Sequence, residues 1–191
     1  MIPKARSFRY AFVLGSDLHI GSGAPGAGYD DRCAVDVLGR PIIPASTVKG
    51  AARDALVRGG VPESDLILAF GAEDRPHAGA TWFSDATAEY AEPVGRSFVA
   101  LSDRRAAVAG RLFELEVVPA WQRAAASWAP TVFRGRVELL PGVAMDEGAH
   151  ALTLAAEALA RTTSFGGRTT RGMGVVRCAL RRDDFIAEGS A

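Results

Sequence analysis

The chain has 191 residues, 48% of them hydrophobic, which allows one domain with a sizeable core and excludes wholesale disorder. Its 22 basic and 22 acidic residues balance, which excludes binding by bulk positive charge but not a local basic site. The two cysteines and three histidines lack zinc-ligand spacing. The N-terminus has no apolar signal-peptide core and no apolar run reaches bilayer length, so we expect a cytoplasmic protein without a membrane partner.

The first predicted elements are a strand, a glycine loop and a helix. Aromatic and β-branched residues predict a strand over Ser7–Ile20, which leads into a loop at Gly21–Gly28. The next helix has apolar residues at helical spacing, a capping residue at Ser46 or Thr47, and a glycine end at Gly59.

The rest of the chain predicts further strands around a hairpin, then a helix and a last strand. Ala120–Pro130 has no clear pattern and is expected to be a loop. The order β-α-β-β…β-α-β predicts an α+β fold with a ferredoxin-like, RRM-type core built from split βαβ units. The predicted elements are a helix over Glu63–Phe70, a strand over Gly79–Asp85, hairpin strands over Ser97–Leu101 and Arg111–Val118, a strand over Thr131–Leu140, a helix over about Glu147–Thr162 and a strand over Val175–Arg182.

Two motifs at the start of the chain resemble enzyme signatures without their required context. The loop after the first strand fits G-x-G-x-x-G, but no helix begins there to meet a pyrophosphate. Ser46 and Lys49 fit S-x-x-K, yet the companion hydrolase motifs are absent. A helix start with Lys49 and Arg53 on its exposed side instead predicts a phosphate site, against the simpler interpretation of a capping serine and a surface lysine.

The loop Phe165–Gly174 (FGGRTTRGMG) has the most informative local chemistry. Its glycines leave backbone amides open to an anion, with Arg168 and Arg171 beside them. The alternative is a glycine-rich turn with solvated arginines. Both remain open on the sequence.

An acidic cluster follows the first glycine loop. Asp30, Asp31 and Asp36 can hold Mg²⁺ or position an attacking group on a phosphodiester, although aspartates in glycine-rich loops more often serve turn chemistry. His19 ends the first predicted strand in the same neighbourhood. A lone histidine is more often structural than catalytic.

Taken in order, these segments resemble the RAMP superfamily, the RNA-binding subunits of type III CRISPR–Cas effector complexes, and among them the backbone subunit that repeats along the guide RNA. The resemblance covers nearly the whole chain, as one domain over residues 1–191. Its most specific parts are P-x-S-x-x-K-G-x-x-R, from Pro44 to Arg53, and the terminal glycine loop. The other matching parts are Leu18–Gly23, Asp30–Asp36, Ala69–Gly71, Phe83–Ala86, Asp103-Arg104 and Leu112–Pro119.

The resemblance implies a guide-RNA site on the first glycine loop, the helix start and the terminal loop. It also implies insertions at about residues 60–130, with a thumb hairpin at about 97–118 that wedges between guide and target bases. The residues it assigns to RNA binding are His19, Gly21, Ser22, Gly23, Ser46, Thr47, Lys49, Arg53, Gly166, Gly167, Arg168, Thr169, Thr170, Arg171 and Gly172.

The resemblance further implies that Asp30 cleaves target RNA with a divalent metal, expected to be Mg²⁺ and needed only for that step. It also implies that Asp36 matches the second Asp of the family pattern. Asp31 is the alternative if the match shifts by one residue. The expected partners are CRISPR RNA, target RNA, other subunits and head-to-tail copies of the chain. Two alternatives remain: a structural or capping subunit that does not cleave, and a guide-processing endoribonuclease with His19 as general base.

Overall fold

The computed structural model describes residues 6–23, 25, 28–72, 78–101, 107–124, 127–166 and 169–182. Within them the strands are β1 (Ser7–Leu14), β2 (Ile42–Ile43), β3 (Thr81–Phe83), β4 (Ala86–Thr87), β5 (Val94–Leu101), β6 (Ala107–Val117), β7 (Trp121–Ala124), β8 (Ser127–Pro130), β9 (Val132–Leu139) and β10 (Val176–Arg182). The helices are α1 (Ala45–Arg58), α2 (Glu63–Phe70) and α3 (Met145–Arg161), and Thr169–Arg171 form a 3₁₀ turn.

Six of these strands form one sheet in the order β10-β1-β9-β4-β2, with β3 also paired to β9. Every described pairing between its strands is antiparallel. The predicted α+β class is therefore confirmed, and the structure adds that the sheet is antiparallel wherever its pairing is described.

One face of the sheet is covered by helices. In β1 the buried side chains Phe8, Tyr10, Phe12 and Leu14 alternate with more exposed ones, as a strand with a single buried face requires. α1 and α3 pack over this face, and buried alanines such as Ala52 bring them close to it. The described helices include none that is long and apolar enough to cross a membrane.

The first strand is shorter than the sequence predicts. β1 ends at Leu14 instead of Ile20. The Gly15 amide donates to the Val175 carbonyl, and Leu18 pairs with Val118 outside the sheet. Residues 15–20 thus leave the sheet because their backbone hydrogen bonds are made elsewhere.

Two hairpins form two-stranded sheets that are separate from the main sheet. β5 and β6 form the hairpin that the sequence predicts, beginning at Val94 and ending at Val117. Of the predicted turn, Ser102–Gly110, residues 102–106 lie outside the described residues, and residues 107–110 belong to β6 and not to the turn. Phe98 and Phe113 stack across it with ring centroids 5.6 Å apart. β7 and β8 form a second hairpin, so the expectation of a loop over Ala120–Pro130 is wrong. Its alanine-rich sequence has little strand character.

Candidate functional site

The loop after β1 is hydrogen-bonded to the root of the first hairpin. Leu18 and Val118 exchange two backbone hydrogen bonds, of 2.9 and 2.7 Å. Further along, the Cys33 amide donates to the Glu116 carboxylate at 2.9 Å, and the Glu116 amide donates to the Asp31 carbonyl at 3.1 Å. Loop and hairpin root therefore form one hydrogen-bonded unit, which fixes the direction of the hairpin relative to the loop.

His19 lies at the centre of this unit and is 8% exposed. Its Nδ1 lies 2.7 Å from the Glu116 carbonyl and its Nε2 lies 3.2 Å from Oδ2 of Asp31. A carbonyl accepts only, so Nδ1 carries a proton and donates. A ring that is also protonated at Nε2 donates to Asp31 as well. Both nitrogens thus lie within hydrogen-bonding distance of protein groups, and Nε2 donates to Asp31 in the doubly protonated ring.

The adjacent carboxylates Asp30 and Asp31 face different surroundings. Asp30 is exposed, and its Oδ2 accepts the Glu114 amide at 2.7 Å. Asp31 faces His19, its Oδ1 is buried without a hydrogen-bond partner, and a Cβ on Gly21 would meet its Cγ at 2.8 Å. Of the two residues, Asp30 is the more exposed.

Asp36 holds a turn. Its carboxylate accepts the amides of Leu38 and Arg40, both at 2.9 Å, and the Arg40 guanidinium at 2.7 Å. Burial would raise the pKa of Asp36, but these hydrogen bonds outweigh burial and lower it. Asp36 thereby has the turn role that aspartates in such loops usually have.

The terminal glycine loop packs on the His19 segment. The Gly174 amide donates to the Asp17 carbonyl at 2.8 Å, and Phe165 donates to Gly174 at 2.9 Å. A Cβ on Gly166 would collide with the His19 carbonyl oxygen. The two glycine loops therefore meet at His19. Gly167 and Arg168 lie outside the described residues.

Among the residues predicted to bind RNA, those of the two loops are mostly accessible. The exposed residues of the first loop are Gly21, Ser22 and Gly23, and those of the terminal loop are Gly166, Thr169, Arg171 and Gly172; the backbone of Thr170 continues the 3₁₀ turn. The loops can thus present backbone amides, hydroxyls and a guanidinium to one ligand.

The start of α1 lies beside β3 and β4. The helix begins at Ala45, and no side chain of the preceding residue caps it. Oδ1 of Asp85 accepts the Ala45 amide at 2.7 Å, so the predicted cap at Ser46 or Thr47 is wrong. The reason is that both residues lie within the first helical turn. A carboxylate already occupies part of the predicted phosphate site.

Beside this helix start, Ser46 and Lys49 line a shallow cleft of about 270 Å³ together with Trp82. Burial lowers the pKa of Lys49. Arg53, one helical turn further, points to Glu63 of α2 with an N–O distance of 3.0 Å. Lys49 thus faces the cleft, while Arg53 is held in an ion pair.

The described contacts do not join the helix start to the glycine loops. At the other end of α1, Gly59 lies against the guanidinium of Arg161, shortly before the terminal loop. A helix of 14 residues is about 21 Å long. The prediction that Lys49, Arg53, Arg168 and Arg171 lie on one RNA-binding face therefore stays a prediction, and Arg168 is outside the described residues.

Sequence reasoning missed Glu116 and Asp85. Each organises a predicted site from far along the chain: Glu116 is 97 residues from His19, and Asp85 is 40 residues from Ala45. No local pattern marks either partnership. The described residues contain no group of three or more His, Cys, Asp or Glu side chains arranged to hold a metal.

A sequence model of the RAMP superfamily matches residues 12–177, so the chain belongs to the RAMP superfamily. No curated protein sequence matches it.

Three solved structures share the fold across nearly their whole length. A chain of the type III-B Cmr-beta complex in its apo state is 14% identical with a TM-score of 0.69, covering 93% of this chain and 98% of that one. A chain of a type IV-B CRISPR complex is 16% identical with a TM-score of 0.63, covering 97% and 93%. Oligomeric Cmr4 from Pyrococcus furiosus is 15% identical with a TM-score of 0.57, covering 92% and 99%.

Proposed function

We propose that the protein is a CRISPR RNA-binding backbone subunit of a type III effector complex, which holds the guide for pairing with target RNA. Family membership and the fold shared with Cmr4 over 99% of that chain support the class. The observation that carries the proposal is the junction at His19. It joins two exposed glycine loops and the root of a projecting hairpin in one hydrogen-bonded unit.

We also infer a ferredoxin-like core. The support is the neighbour order β10-β1-β9-β3, with α1 between β1 and β3 in the sequence and α3 between β9 and β10. That is the arrangement of two interleaved βαβ units. The loops after β1 and α3 then lie together at one end of the sheet, as the Gly174–Asp17 hydrogen bond requires.

Guide binding at the junction would use backbone amides of the glycine loops and the guanidinium of Arg171 against RNA phosphates. Buried His19 would position the loop through its two hydrogen bonds. The β5–β6 hairpin is the candidate thumb. Its anchoring at Glu116 would hold it at a fixed angle to the bound strand.

For cleavage, Asp30 is the candidate carboxylate. Mg²⁺ keeps several waters and is commonly held by one or two carboxylates plus substrate phosphates, so one exposed carboxylate fits such an ion only when RNA is bound. The ion would supply charge stabilisation at the phosphate. Asp30 itself would orient toward the RNA through its hydrogen bond from the Glu114 amide.

The test substitutes Asp30→Asn in the assembled complex, which keeps an acceptor oxygen for the Glu114 amide and removes the charge. We expect metal-dependent cutting of target RNA to fall by at least about a hundredfold, with guide and target binding unchanged. Asp31→Asn, the matched control, keeps the acceptor for His19 and should cut at the wild-type rate. Chelating the metal should reproduce the Asp30→Asn result. Equal cutting by both variants would reject the assignment.

A subunit that holds RNA without cutting is the second candidate, because the Asp30 carboxylate already accepts a hydrogen bond from the Glu114 amide. It predicts no metal-dependent cutting by the native complex. A general base at His19 is disfavoured, since the ring is 8% exposed and its Nε2 faces the Asp31 carboxylate and not an open ligand site.

For either candidate, RNA of guide length should co-purify with the protein, and the number of copies should follow the length of that RNA, as head-to-tail stacking requires.

A further inference from the structure

The face of the main sheet that is turned away from the helices is strongly basic. Cross-strand partners share a face, so the register assigns the residues on this side. Among the described strand residues there, five are arginines and one, Glu138, is acidic, in a chain with 22 basic and 22 acidic residues. The arginines are Arg9, Arg134, Arg136, Arg177 and Arg181.

Three of these arginines form a row across adjacent strands. Arg9 pairs directly with Arg181 of β10 on one side and with Arg136 of β9 on the other. Like charges directly opposite one another destabilise a sheet, because their side chains lie only about 5 Å apart at Cβ. The row concentrates positive charge at the centre of the sheet face, where a bound polyanion would be stabilised.

The positive charge is mostly not neutralised within the protein. Arg136 pairs with Glu138 at 3.2 Å, whereas Arg134, Arg177 and Arg181 are exposed and have no ion pair with any described residue. Three guanidiniums on a rigid sheet can each contact a phosphate, with planar donor geometry that suits phosphate oxygens.

An aromatic side chain completes the face at its edge. Trp82 of β3 pairs with Glu138, is 44% exposed, and has the Arg136 guanidinium 5.9 Å from its ring centroid. Single-stranded RNA is commonly bound by phosphate contacts together with stacking of bases on aromatic rings and guanidinium planes. Trp82 also lines the cleft beside Lys49, so the basic face is continuous with the start of α1.

We propose that this basic sheet face binds a single strand of RNA through its phosphates, with Trp82 as a stacking surface. The proposal goes beyond the proposed function, because none of the residues predicted to hold the guide lies on this face. Charge complementarity selects the occupant: five arginines share this face with one carboxylate, Glu138, and three of the five have no ion pair with any described residue, which favours a polyanion such as RNA.

The experiment measures binding of fluorescein-labelled oligouridine to the purified chain at several salt concentrations. The test variant carries Arg134→Gln, Arg177→Gln and Arg181→Gln. Each phosphate contact to a single strand contributes about 0.7 to the slope of log K against log salt, so the slope should fall by about 2. A control variant with three exposed arginines changed to Gln elsewhere, Arg58, Arg123 and Arg161, should retain the wild-type slope.

Two further measurements separate the outcomes. Without RNA, the test variant should melt at or above the wild-type temperature, since repulsion is removed, and oligouridine should stabilise it less than wild type. Lys49→Gln probes the guide site separately. If Lys49→Gln weakens binding and the sheet variant keeps its full salt slope, the sheet proposal is overturned while the proposed function stands. If the sheet variant binds RNA normally but loses self-association, the face binds an acidic protein surface instead, which also overturns it.

Discussion

The contact between the terminal glycine loop and His19 can be tested with a pair of glycine substitutions. Gly166 and Gly172 both have positive φ, +87° and +76°, so alanine is strained at either position by about 1–2 kcal/mol. They differ in their surroundings. A Cβ on Gly166 would collide with the backbone carbonyl of His19, whereas a Cβ on Gly172 would have no heavy atom within 4 Å.

The difference between the two variants isolates the packing contact. A backbone carbonyl cannot rotate away as a flexible side chain can, so relieving the collision should cost a further 1–3 kcal/mol or so, as overpacking does. We expect Gly172→Ala to lower the free energy of unfolding by about 1 kcal/mol and Gly166→Ala by about 3 kcal/mol. For a chain of this size, a 2 kcal/mol difference corresponds to a melting temperature lower by about 4–8 °C.

The free energy of unfolding of both variants is measured by urea denaturation with one m-value fitted to both, and thermal melting checks the result. RNA binding provides a second readout. Gly166→Ala should weaken binding more than Gly172→Ala, because it displaces the loop that His19 organises. Equal destabilisation of the two variants would show that the terminal loop does not rest on His19, and the proposed junction would then be wrong.

Two further predictions concern groups away from the junction. Burial, reinforced by the charge of Glu116, raises the pKa of the Cys33 thiol from 9.0 to about 12. Alkylation of Cys33 at pH 8 should therefore be about a thousandfold slower in the folded protein than in the unfolded chain. The free energy of unfolding should decline as the pH rises from 9 towards 12, because the thiol of the unfolded chain ionises first. The Asp85→Ala substitution removes the acceptor for the Ala45 amide and should lower the free energy of unfolding by about 1 kcal/mol. Glu89 is an exposed acidic residue close to Asp85 in the sequence, and Glu89→Ala should change the free energy of unfolding little. Equal effects of the two substitutions would contradict the capping role of Asp85.

The sequence predicts those elements whose stability is encoded within a single segment. The α2 helix has its predicted bounds, and α1 ends one residue before the predicted glycine. The β5–β6 hairpin also follows from its strand-forming residues on either side of a polar turn. In each case the apolar pattern and the terminating residues lie within about a dozen positions, where propensity and periodicity act.

The basic sheet face shows what such local reasoning cannot reach. In the sequence, Arg177 and Arg181 follow the arginines of the terminal glycine loop at short intervals. In the structure they lie on β10, and register places Arg181 beside Arg9, 172 positions earlier in the chain. Register depends on which strands become neighbours, which the pattern of one strand does not specify. The same limit applies to Glu116 and Asp85.

The ambiguity between Asp30 and Asp31 was, by contrast, open to a local argument. Side chains of extended backbone alternate in direction, so residues two apart share a side. Cys33 is the nearest residue of a type that is usually buried. Asp31 lies two positions before Cys33 and therefore shares its buried side, whereas Asp30 lies three positions before it and faces the opposite, exposed side. The structure has this alternation, with Asp30 and Arg32 exposed, Asp31 partly buried and Cys33 buried. The exposed Asp30 is therefore the carboxylate that we propose for contact with an RNA phosphate, whereas removing Asp31 would disturb His19.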